Sequence, residues 1–135
     1  MVRTTLQLRT ASERLLALEA ASRGAAKLPA AARVTERLRR MLGSLLGAAG
    51  FQALLSRAVT LAKAELPALR ALCVQADGSL EGLDQLNDHD GEIVLVAHIL
   101  GLLVTFVGEA LMLRLVSDAW PKARLDDLDF DKDEP

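Results

Sequence analysis

The sequence predicts an all-α protein, a compact bundle of four or five helices around one apolar helix over about residues 92–118. Three observations carry this. Leu, Ala, Arg and Val dominate, Tyr is absent, and the aromatic residues are Phe51, Phe106, Phe130 and Trp120, a palette that favours helix over sheet. Residues 93–116 are apolar on every side of a helical wheel, as at the centre of a helical domain or within a membrane. The segments before them repeat apolar residues at spacings of three and four, with charges on the other side.

Leu8, Ala11, Leu15, Leu18 and Ser22 mark the inner stripe of a first helix over about residues 4–27. Arg9–Glu13 and Glu19–Arg23 read as i,i+4 pairs on its exposed side, and Gly24 and Pro29 bracket its end. A second helix follows Pro29, with Val34, Leu38, Met41, Leu42 and Leu45 inward, until the glycines of residues 47–50 loosen or turn the chain. A third helix runs from Phe51 to about Gln75, with Pro67 kinking or splitting it. Residues 76–79, Ala-Asp-Gly-Ser, signal a turn. A short helix over residues 79–86 and a polar loop over residues 87–91 then lead into the central helix, which Pro121 ends. The expected organisation is one helical domain over residues 1–124 and a solvated acidic tail over residues 125–135.

Two charge-free spans of 16 residues, 41–56 and 93–108, invite a membrane reading. As helix each covers about 24 Å, short of a hydrocarbon core of about 30 Å. Extending the second span to Val116 would place Glu109 and Arg114 in lipid. The amphipathic flanks favour a soluble domain wrapped around a buried helix. The N-terminal segment reads as an amphipathic helix rather than a secretory signal. One cysteine, Cys73, fits a reducing compartment and reads as a packed, inert thiol, so the expected location is cytoplasmic.

Net charge is −2, unevenly spread. Residues 1–40 hold nine Arg or Lys against three Glu, and residues 117–135 hold three bases against seven acids. Arg33, Arg37 and Arg40 share one helical face, a candidate basic surface for a partner. Nucleic acid is a poor match for it: the chain as a whole is acidic and lacks aromatic platforms for stacking bases. The acidic tail is an alternative occupant of that face, in the same subunit or a neighbour.

Small residues at Ala97, Gly101 and Thr105 form a ladder that lets another helix approach, and Gly43 and Gly47 offer a matching groove, within the chain or in a homodimer. Along the central helix His98, Thr105 and Glu109 fall on one line. Glu65 stands inside the third helix's apolar stripe beside Pro67. Buried carboxylates need donors, so these four residues read as a polar network that fixes helix register, with Arg114 a further donor. A dimetal site needs repeated Glu-x-x-His pairs, and there are none and only two histidines. Residues 86–97 fail as a calcium loop, with Leu86 and Ala97 where carboxylates belong. Phosphate-loop and nucleophile-elbow signatures are absent from the sequence. The expectation is therefore a non-catalytic module for protein–protein contact or assembly, without cofactor or metal. It would be a small bacterial regulator or adaptor that self-associates. The alternatives are a membrane-associated protein using residues 93–116 and a nucleic-acid regulator using the Arg33, Arg37 and Arg40 face.

Overall fold

The computed structural model describes residues 5–21, 29–75, 80–83 and 89–125. The protein is mostly helical, with four α-helices and one two-stranded sheet among the described residues: α1 (Leu6–Ala21), α2 (Ala30–Glu65), β1 (Cys73–Val74), β2 (Leu80–Glu81), α3 (His89–Val107) and α4 (Glu109–Ala119). α3 is the helix around which the rest packs. Residues 93 to 100 are buried without interruption, so α3 is enclosed on all sides along that stretch, which explains its all-round apolar sequence. α1 covers it with Ala11, Leu15 and Leu16, and Ser12 Oγ donates to the Ile93 carbonyl at 2.8 Å.

α2 is two helical arms joined at Gly47, whose φ of 77° and ψ of 165° are open to glycine and strained for other residues. Its free first-turn amides need acceptors, and the Glu92 carboxylate takes the Ala31 N–H at 2.9 Å, beside the first turn of α3. The far end of α2 brings Glu65 to His98, so the chain doubles back at Gly47 to lay both arms against α3. α3 in turn stops at Gly108, with φ 89° and ψ 157°, and α4 folds back to place Trp120 over Arg37. From the Ala31–Glu92 contact, each chain runs 16 residues, about 24 Å of helix, to its glycine. From the Arg37–Trp120 contact, Gly47 lies ten residues after Arg37 and Gly108 twelve residues before Trp120. The matched lengths bring both corners to one end of the molecule, opposite the Glu92 end.

Several expectations change. The third helix ends at Glu65 rather than near Gln75, because Pro67 supplies no amide and starts a short 3-10 turn, Pro67–Leu69. The short helix expected over residues 79–86 is replaced at Leu80–Glu81 by a strand, paired antiparallel with Cys73–Val74. Gly82 follows β2 close against the residues before β1: a Cβ there would lie 2.3 Å from the Ala71 carbonyl oxygen. Cys73 is exposed on β1, not packed. The helix expected over residues 92–118 is two helices, broken at Gly108. Helix begins at His89, inside the segment read as a polar loop. The expected turn at residues 76–79 and nearly all of the expected acidic tail lie outside the described residues.

By length and composition α2 and α3 are each apolar enough to cross a membrane. In α2 that stretch contains the Gly47 corner, and 56% of the α3 stretch is buried inside the protein.

Candidate functional site

Three places gather the side chains that chemistry or recognition needs. The first is a cleft of about 580 Å³ between α1, the end of α2 and the start of α3, with Arg9, Glu13, Glu65, Asp90, Ile93 and Val94 among its walls. Glu65 sits there because α2 runs to its last turn before Pro67. Its carboxylate is divided between two partners: Oε1 meets His98 Nε2 at 2.9 Å, and Oε2 accepts from the Arg9 guanidinium. The His98 and Glu65 side chains are nearly sealed from solvent, at 5% and 7% exposure. Burial holds the His98 pKa below its ordinary 6.5, opposed by the hydrogen bond and charge of Glu65 and reinforced by the Arg9 charge. Neutral His98 then carries its proton on Nε2 and donates it to Glu65.

This arrangement pins three helices. A carboxylate with both oxygens engaged has little capacity left as a base, and His98 lies behind Glu65 rather than on the cleft wall. Of the four residues expected in one polar network, Glu65 and His98 come together. Thr105 is exposed, with its hydroxyl on the Gly101 carbonyl of its own helix. Glu109 lies beyond the Gly108 break, which ends the helical line that would have aligned it with His98; its Oε1 is buried and, among the described residues, has no hydrogen-bond partner. Arg114 is exposed on α4. Arg9, which the sequence paired with Glu13, is the partner that was not expected.

The second place is Glu19, read from sequence as exposed and paired with Arg23. It is buried at 3% exposure. One carboxylate oxygen accepts from Trp120 Nε1 at 2.8 Å and from Arg37 Nε at 2.8 Å, and Arg33 Nε stands 3.6 Å from the other. Arg37 also lies over the Trp120 ring, 5.6 Å from its centre. Of the basic face expected of Arg33, Arg37 and Arg40, Arg33 is turned inward, Arg37 is half exposed while engaged by Glu19, and Arg40 stays outside, 3.8 Å from Glu36. The spacing of Ser12, Leu16 and Glu19, four then three, was the available signal that Glu19 faces the core.

The third place is the end formed by the two glycine corners. Leu45 is 50% exposed, Phe106 62% and Leu111 37%, and Ala48, Ala49, Gly108 and Ala110 are exposed around them. The small-residue ladder behaves differently from its expectation. Ala97 is fully buried, and a Cβ on Gly101 would meet Leu8 Cδ1 of α1 at 3.2 Å, so the helix that comes close is α1. Gly43 and Gly47 have no neighbour within 4 Å of such a Cβ, so they form no closely packed groove. Gly47 serves as a corner instead. Among the described residues, no group of three His, Cys, Asp or Glu side chains is placed to hold a metal ion. Compared with known proteins, the chain matches no family model, no curated protein and no solved structure.

Proposed function

We propose that this chain is a non-catalytic helical interaction module, a small regulator or adaptor that works by attaching its glycine-corner end to a partner. Its architecture in this reading is a compact bundle with α3 as the axis. One observation carries the proposal: Leu45, two residues before the Gly47 corner, and Phe106 and Leu111, two before and three after the Gly108 corner, stand out in water. Scattered apolar residues on a surface need no explanation, but three within three residues of the two glycine corners mark a contact surface. The polar groups point the other way, since Glu65, His98 and Glu19 spend their hydrogen bonds on holding helices together. Arg33 and Arg37 are engaged by Glu19, which disfavours a nucleic-acid surface on that face.

Size exclusion with light scattering in detergent-free buffer, at low and high salt, tests this for a protein partner of the simplest kind, a second copy. A mass above 14.5 kDa that returns to the monomer in Leu45→Ser and Phe106→Ser supports the reading. A monomer throughout, unchanged by both variants and indifferent to lipid vesicles, removes it.

A further inference from the structure

We infer that the partner of the glycine-corner end is the surface of an anionic lipid bilayer, touched peripherally rather than spanned. This rests on the reading of that end as the contact surface and names what it contacts. The helices converging there are basic. Residues 41–64 contain Arg57 and Lys63 and no acid, and residues 93–117 contain Arg114 and the single acid Glu109, whereas Arg37 is engaged by Glu19 and Arg39 and Arg40 by Glu36. Arg40, Arg57 and Arg114 are exposed. Arg114 is six residues from the Gly108 corner, and Arg40 and Arg57 are seven and ten from Gly47, roughly 9 to 15 Å of helix. Cα–Cβ bonds tilt toward a helix's N-terminus, so Arg57 and Arg114, on helical segments that begin at the corners, lean toward that end.

An apolar tip behind a cationic collar matches the layers of a membrane interface. Side chains entering about 5–10 Å reach the acyl boundary, while the collar remains at the level of the phosphates. A second copy fits less well. A two-fold contact through this end would bring the like-charged Arg57 and Arg114 of two copies together. A bilayer requires no matched shape. Spanning is disfavoured, because the enclosed turns of α3 would have to leave the protein core.

The experiment is flotation of the full chain with vesicles of phosphatidylcholine alone or of phosphatidylcholine with phosphatidylglycerol. The expected result is binding to the anionic vesicles only, lost at about 1 M salt, where charges are screened beyond about 3 Å. Phe106→Ser weakens binding about ten-fold, and each of Arg57→Gln and Arg114→Gln weakens it about five-fold. All three positions are exposed, so unchanged thermal melts confirm intact folding. No binding to anionic vesicles at low salt, equal binding to neutral ones, or indifference to all three substitutions overturns the proposal. If vesicles are ignored while Phe106→Ser dissolves a self-associated species, the partner is a second copy: the lipid proposal falls and the interaction reading stands. If neither occurs, both fall.

Discussion

Replacing Glu19 with Ala removes a buried carboxylate that joins α1 to α2 and to the end of α4. Two losses set the magnitude. The Trp120 Nε1–H, bonded at 2.8 Å, is left in a buried place without its acceptor, at about 1–3 kcal/mol. Arg33, 13% exposed, loses the carboxylate beside it but keeps its other interactions, so its share stays below the cost of a fully broken buried pair, about 3–5 kcal/mol. Arg37 is 48% exposed and turns to water, so its bond adds little. These losses overlap, and the expected total is about 3–5 kcal/mol, a large share of the 5–15 kcal/mol typical of a domain. Glu19→Gln keeps an acceptor for Trp120 and costs about 1–2 kcal/mol. Urea unfolding followed by circular dichroism measures both, and emission from Trp120, the one tryptophan, reports the site directly. A Glu19→Ala midpoint within about 1 kcal/mol of the parent at unchanged slope would refute the assignment. So would a double cycle with Trp120→Phe that shows no coupling.

Acid sensitivity should trace to His98. Its folded-state pKa is lowered below 6.5, so the unfolded chain takes up a proton that the native state refuses, and stability falls as pH drops below 6.5 until the folded pKa is reached. His98→Gln should lose stability less steeply than the parent across that window in urea titrations; equal slopes would show that His98 does not carry the effect. Gly47→Ala and Gly108→Ala should each cost about 1–3 kcal/mol. No neighbour lies within 4 Å of the added methyl at either site, so the cost is purely one of backbone conformation; melts that match the parent would contradict the corner geometry. Gly101→Leu should loosen α1, because even a Cβ there lies 3.2 Å from Leu8 Cδ1. Hydrogen exchange should then speed up in α1 before α2, and uniform protection would argue against it.

The elements most legible in the sequence are those whose residues answer mainly to one neighbour. Helical spacing finds α1 and both arms of α2, and the turn expected at residues 47–50 is met by the Gly47 corner. Gly108 is harder to read, because Gly101 sits in the same apolar run and stays helical: what separates them is Leu8 packed at Gly101 and open space at Gly108. That break also ends the helical line that joined His98 to Glu109. Glu65 stood out in sequence because a carboxylate interrupts an apolar stripe, yet its partner Arg9 is 56 residues away, beyond any local pattern. Glu19 misleads for the same reason. Arg23 is four residues on, but the donors that bury it come from α2 and from the segment after α4.

The bonds of Glu19 have a temporal order during synthesis. Its carboxylate meets Arg37 across 18 residues and Trp120 across 101. At about 5–20 residues per second, Arg37 emerges within a few seconds, whereas Trp120 follows by about 5–20 s. During that interval α1 and the first arm of α2 can already form an ion-paired hairpin, while Leu15 and Leu16 wait for α3. The same carboxylate thus serves first as a temporary clasp on a nascent chain and later as the bond that closes the end of the chain onto its beginning.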